Sequence, residues 1–252
     1  SRVVTTTSAD GGSVVVQRDS SGGGWFDQEE TRTIDLNGSR SIVINDLAQD
    51  GSVIRGSSEF TSIDGLVRTK GTNEDGVGPD DLVVSHTIVE HGDRSRTEST
   101  VATNQDMSTR SSETVFVGID GRIKVISRDV DGDGNIDTIE DLSIVLGVGG
   151  DSTSTLLVKN GNNTLRNSVV QTQSADALIK TIKADVDGDG DYDTTTVDET
   201  VINADGSRET TTTVTNTDGS VRSMERTTLG ADKISSETWV DLDQDGIFDS
   251  DE

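Results

Sequence analysis

The chain has 252 residues, with 21 Lys and Arg against 47 Asp and Glu for a formal charge of −26, no Cys and one Pro. Lack of Cys excludes disulfides, thiolate zinc sites and cysteine nucleophiles, and the acid excess repels nucleic acid phosphates and anionic lipid while attracting cations. Hydrophobic residues make up 29%, too few for a thick core; no run reaches the roughly 18 apolar residues of a spanning helix, and the opening SRVVTTTSAD has no signal-peptide pattern, so membrane insertion is not expected and any targeting element is expected outside this sequence.

In chain order the sequence reads as a tandem repeat. Residues 1–18 are the end of a preceding unit. Segments 19–72 and 73–128 open on the weak loops DSSGGGWFD, from Asp19, and NEDGVGPDD, from Asn73. Segments 129–184 and 185–240 open on DVDGDGNID and DVDGDGDYD, and DLDQDGIFD opens a further unit over 241–252. Loops at Asn73, Asp129, Asp185 and Asp241 start 56 residues apart, and the first unit is two residues shorter. Between loops, Asp93, Asp106 and Asp120 keep the offsets from Asn73 that Asp205, Asp218 and Asp232 keep from Asp185. Several of these aspartates precede Gly, and Asp-Gly supplies the positive φ of tight hairpin turns. Segments of about ten residues rich in Thr and Val lie between the turns, such as SRETTTTVTNT over 207–217, where branched side chains favour extended backbone.

Each unit is therefore predicted as one acidic loop followed by four antiparallel strands, an all-β tandem array of elongated form. One segment, SADALIKTIKADV over 174–186, also shows helical spacing at Leu178, Ile179 and Ile182. Its counterparts GIDGRIKVISRDV and SADGGSVVVQRDS are Gly-rich or β-branched, so a strand is expected there too.

The strong loops carry acids at positions 1, 3, 5 and 9 and Gly at position 6, namely Gly134, Gly190 and Gly246. Such crowding of carboxylates opposes folding unless cations neutralise it. The spacing matches a calcium loop, in which alternating side chains, a position-7 carbonyl and a position-12 acid surround a hard ion. The expected ligands are Asp129, Asp131, Asp133, Asn135, Asp137 and Glu140 in the first; Asp185, Asp187, Asp189, Asp191 and Asp193 in the second; and Asp241, Asp243, Asp245, Ile247, Asp249 and Glu252 in the third, with Asn135, Asp191 and Ile247 contributing carbonyls. Position 12 of the second loop is Thr196, so Asp198 or water is expected to take its role. Position 8 is apolar (Ile136, Tyr192, Phe248 and Phe26), as an anchor pinning the loop to its sheet. Calcium is preferred over magnesium because a flexible ring of many oxygens suits the larger ion. Zinc is disfavoured, His86 and His91 being the only histidines. The loops at Asp19 and Asn73 have Gly23 and Val77 at position 5 and are expected to bind weakly or not at all.

The pattern SADG, RDxDGDGxxD, NADGSR and TxTDGS resembles tandem arrays of giant secreted bacterial calcium-binding proteins, including RTX-type adhesin and matrix segments, across essentially the whole chain. That resemblance implies type I export, calcium-driven folding outside the cell and a structural or adhesive role. The glycine-rich RTX nonapeptide is absent, so a parallel β-roll is not implied. FG-GAP propeller repeats also carry DxDxDGxxD in four-stranded blades, which leaves a calcium-dependent glycan-binding propeller as the alternative. FG and GAP elements are missing, and aromatic content is 3%.

Neither Ser-x-x-Lys nor Gly-x-Ser-x-Gly occurs, and no nucleophile, base and orienter can be assembled from spacing, so the chain is read as non-enzymatic. His86 and His91 read as surface residues, and Trp25 and Trp239 as packing residues beside loop or strand. The expected partners are calcium, further copies of the chain in fibres, and cell-surface or matrix glycan.

Overall fold

Thr, Val and Ser are the commonest strand residues, and most Asp and Gly lie in the breaks between strands. In the computed structural model, which describes residues 1–241 and 243–249, this produces strands and no helix among the described residues. They are β1 (Arg2–Thr7), β2 (Ser13–Asp19), β3 (Gln28–Ile34), β4 (Arg40–Leu47), β5 (Val53–Thr61), β6 (Val67–Asn73), β7 (Leu82–Glu90), β8 (Arg96–Asn104) and β9 (Thr109–Val117). There follow β10 (Ile123–Asp129), β11 (Thr138–Leu146), β12 (Ser152–Asn160), β13 (Leu165–Gln173), β14 (Ile179–Asp185), β15 (Thr194–Ile202), β16 (Arg208–Asn216), β17 (Val221–Leu229) and β18 (Ser236–Asp241). The all-β expectation holds, with antiparallel pairing. The segment with helical spacing forms a turn and then β14; Ala177 takes φ 59° there, and at the matching positions Gly11, Gly65 and Gly121 take similar values.

The chain divides into two compact units, Ser1–Ile119 with Ile126–Asp137, and Asp120–Val125 with Thr138–Glu252. In the first, β1 to β9 form a meander in which each strand pairs with the next. In the second, β11 to β18 do the same. Within each unit, strands touch only their ladder neighbours, so neither unit has a second layer. The ladder also runs through the acidic loops, because β2–β3, β6–β7 and β14–β15 are hydrogen-bonded hairpins. A propeller would break its ladder between blades; neither unit is divided into four-stranded blades in this way.

Among the described residues no hydrophobic side chain is buried. The buried groups are Asp19, Asp129, Asp185 and Asp241, which open loops, with Glu30, Ser39, Ser95, Ser168 and Ser207. Stability must therefore come from ladder hydrogen bonds and side-chain pairs along the sheet, with polar groups fixed at the strand ends. At the turns, Asp93 and Asp205 each accept the N–H and hydroxyl of a Ser two residues on, with Oγ···Oδ1 distances of 2.6 and 2.7 Å. Asp10, Asp64 and Asp176 accept from Ser8, Ser62 and Ser174. The Ser hydroxyl, and next the backbone N–H, hold all five carboxyls below the ordinary value of 3.8.

Candidate metal centre

The loop between β14 and β15 is built around Asp185. This side chain ends β14, is 1% exposed, and accepts Gly188 N–H on Oδ1 at 2.6 Å and Gly190 N–H on Oδ2 at 3.1 Å. Asp193 accepts the Val186 N–H at 2.7 Å, tying the far end of the loop to its start. Ligand-bearing oxygens of Asp185, Asp187 and Asp193 then lie within 4.8 Å of one another.

The other two strong loops repeat the arrangement. Asp129 accepts from Gly132 and Gly134 at 2.7 and 3.0 Å, and Asp137 caps Val130 N–H at 2.7 Å, placing Asp129, Asp131 and Asp137 together. Asp241 accepts from Gln244 and Gly246 at 2.7 and 3.0 Å, and Asp241, Asp243 and Asp249 form the third group. Three Asp triads could thus hold a metal ion. Each offers only carboxylate oxygens, a donor set that suits hard cations. Each also combines one buried anion with two more exposed ones, and buried charge is costly unless it is paired or coordinated.

The triads use positions 1, 3 and 9. The position-5 acids Asp133, Asp189 and Asp245 are outside them and accept instead the position-7 N–H groups of Asn135, Asp191 and Ile247 at 2.7, 2.8 and 2.8 Å. That backbone bond, with the Asn135 amide, holds the Asp133 carboxyl below its ordinary range. Glu140 lies on β11 opposite Val158. In the second loop Thr196 lies on β15 opposite Val214, and Asp198 accepts the Thr212 hydroxyl at 2.8 Å. Glu252 falls outside the described residues. His86 meets Thr100 at 3.1 Å and His91 meets Thr97 at 2.9 Å; neither belongs to a triad.

Three position-8 rings lie under a cation of the sheet, Tyr192 with the strand before its loop and Phe248 and Phe26 with the strand before that. Lys183 Nζ lies 5.5 Å from the Tyr192 ring centroid, and Arg226 lies 4.7 Å from that of Phe248 and 5.7 Å from that of Trp239. Arg2 covers Phe26 at 4.9 Å. These cation–π contacts fasten the loop to the sheet.

In the loops at Asp129 and Asp185 a glycine at position 4 fits the loop against the neighbouring hairpin. Gly188 has φ 78°, and a Cβ there would stand 2.5 Å from the Leu165 carbonyl oxygen and 2.9 Å from the Arg166 carbonyl carbon. Gly132 meets Thr109 and Arg110 in the same way. Those contacts fall at β-bulges, where Arg110 and Arg166 have no register partner. These two loops rest on the bulged backbone and only Gly leaves room there, whereas the Asp241 loop carries Gln244 at position 4 with φ 65°. The signal was present in the paired glycines of DGDG.

The two weak loops keep the backbone but not the triad. Asp19 accepts Gly22 N–H at 2.6 Å and Gly24 N–H at 3.1 Å, while Asp27 caps Ser20 and Ser21. Its position-12 residue, Glu30, is paired with Arg18 at 2.8 Å and with Arg32, and the Arg18 guanidinium, then that of Arg32, holds its carboxyl below the ordinary range. In the other loop Asn73 accepts Gly76 N–H at 2.7 Å and donates its amide to the Gly78 carbonyl at 3.2 Å. Gln105 donates its amide to the carbonyls of Val77 and Pro79, both at 3.2 Å. Asp80, at position 8, reaches back over Gly71 to Ser58.

No protein-family model matches the chain, and no curated protein matches it.

Proposed function

We propose that the chain is a non-catalytic, extracellular structural repeat protein, a filament, stalk, or matrix or adhesin component of a bacterial surface, in which calcium acts as a clamp. One observation carries the reading. Among the described residues no hydrophobic side chain is buried, and the most buried groups include the aspartates that head three carboxylate triads. A divalent ion there converts mutual repulsion into cross-linking of loop start to loop end, the role an apolar core fills elsewhere.

Calcium fits better than magnesium, since exposed triad members can recruit water and further oxygens around a large ion. With free ion about 100-fold above the dissociation constant, each site adds on the order of 2.7 kcal/mol. Millimolar calcium outside a cell then favours the folded state, and a calcium-poor cytoplasm leaves the chain open for export. The charge and the repeat resemblance support this location.

Calorimetric titration with calcium and with magnesium, paired with thermal melts in each ion and in EDTA, tests the reading. Calcium should bind and raise the melting temperature well beyond magnesium. Equal melting in calcium and EDTA would refute the clamp.

A further inference from the structure

The three loops with carboxylate triads share a neighbour that the Asn73 loop lacks. On the strand two before each of them one residue bulges out of register: Arg110 on β9, Arg166 on β13 and Arg222 on β17. On β5, two strands before the Asn73 loop, the bulged residue is Ile54. Seating the loop does not require arginine. A Cβ on Gly76 would stand 2.1 Å from the Val53 carbonyl oxygen and 2.8 Å from the Ile54 carbonyl carbon, close to the contacts found at Gly132 and Gly188 on their arginine-bearing bulges. The Asp241 loop adjoins its bulge through Gly246, whose Cβ would lie 4.0 Å from Val221. Loop and bulge meet in all four cases, and what sets the three apart is a guanidinium.

These guanidinium groups are unengaged. Arg110, Arg166 and Arg222 are exposed and, among the described residues, their side chains make no ion pair, hydrogen bond or ring contact, although the chain holds 47 acids against 21 bases. Other cations near the loops do have partners: Arg128 meets Glu113 at 2.7 Å, while Lys183 and Arg226 stand over Tyr192 and Phe248. Arg55, next to Ile54, is held by Asp46 at 2.6 Å. We infer that the bulge arginine sets the calcium affinity of the loop beside it, weakening it so that the site fills only at high calcium. The inference rests on the calcium reading above. With five aspartates from Asp185 to Asp193, the empty loop attracts the guanidinium, and a bound divalent ion cancels part of that attraction. Arginine thus stabilises the empty loop more than the filled one, and the difference is read as weaker binding. The shift moves a loop crowded with carboxylates away from tight buffering and toward the dissociation constants of about 10⁻⁴–10⁻³ M found in extracellular calcium modules. The Asn73 loop lacks the triad, satisfies its oxygens with amides, and carries Ile54.

Calorimetric titration of the full chain with calcium tests the inference, with far-UV circular dichroism confirming the fold of each variant. Arg110→Gln, Arg166→Gln and Arg222→Gln combined should leave the number of bound ions unchanged and tighten their binding about threefold to tenfold at low salt, a gain that shrinks in about 1 M NaCl, where the Debye length is about 3 Å. Lysine at the same three positions should keep the wild-type affinity, since the charge and not the fork of donors is at work. Arg40→Gln, Arg94→Gln and Arg208→Gln combined, at the strand ends away from the acidic loops, remove the same net charge and should leave affinity within twofold of wild type, about the scatter of screened remote charges. Unchanged or weaker binding in the first variant, with the ions still bound, overturns the inference and leaves the calcium reading standing. Equal tightening in the remote variant, or a lysine variant that behaves like the glutamine one, overturns it too. A wild type that binds no calcium overturns the calcium reading and this inference with it.

Discussion

The loops at Asp129 and Asp185 and the loop at Asn73 share a backbone, yet the first two gather three carboxylates and the third gathers amides. Position 1 accepts the position-4 N–H in all three. In the Asn73 loop the amides of Asn73 and Gln105 point at the carbonyls of Gly78, Val77 and Pro79. Those N–H donors do in that loop what a cation would do in a calcium loop: they satisfy inward-facing oxygens. The Asp19 loop uses another substitute, Arg18 and Arg32 on Glu30. The loop fold and the metal requirement are therefore separable, because backbone capping by position 1 makes the loop and the acids at positions 3 and 9 make the demand for an ion.

The largest expected effect is on metal removal. Stripping calcium should cost on the order of 2.7 kcal/mol for each triad previously held at about 100-fold saturation, read as a large drop in melting temperature. Asp185→Asn narrows the test to one loop. It should lose about that amount more in calcium than in EDTA, where the cost is that of the Gly190 N–H bond alone, since Asn73 shows that an amide oxygen can still accept the position-4 N–H. An equal loss in both conditions would mean the carboxylate serves the backbone alone.

Next in size is the seat of the loop. Gly188→Ala meets both the Leu165 carbonyl and a φ of 78°, so it should cost roughly 1–3 kcal/mol in thermal or urea unfolding. Gly22→Ala, with φ 74° and nothing within 4 Å, should cost only the backbone part, about 1 kcal/mol. Equal costs would remove the role given to the bulge.

Smaller still is Gln105→Ala. Losing its two amide bonds should destabilise by about 1 kcal/mol, equally with and without calcium. A calcium-dependent effect would mean the Asn73 loop holds an ion after all.

The turn aspartates come last. Their carboxyls are held below 3.8, so their contribution is complete above that pH and is lost as pH falls through their lower folded values. In EDTA, the combined change Ser8→Ala, Ser62→Ala and Ser174→Ala should move the acid-unfolding midpoint upward, followed by circular dichroism. An unmoved midpoint would show that the Ser hydroxyls do not stabilise these carboxylates.

Much of this fold is legible in the sequence because it is local. Asp-Gly and Asp-x-Ser turns carry their own hydrogen bonds, and Thr and Val between them leave extended backbone as the main option. Strand starts at Leu82, Thr138 and Thr194 keep the 56-residue spacing of the loops that precede them. Spacing alone does not tell which acids converge. Asp133 and Asp137 look equivalent as carboxylates, but one bonds to the backbone two residues on and the other reaches back to Val130. Gln105 is likewise 32 residues from Asn73, and only the pairing of β7 with β8 brings its turn to that loop.

The most direct measurement is the number of calcium ions bound per chain, by equilibrium dialysis or calorimetry, for the wild type and for Asn73→Asp. Three ions are expected in the wild type, one for each triad. Four are expected in the variant, because the substitution completes positions 1, 3 and 9 beside Asp75 and Asp81 on a backbone already in place. Five ions or none in the wild type, or a variant that binds no additional ion, would contradict the assignment of metal to the Asp triads.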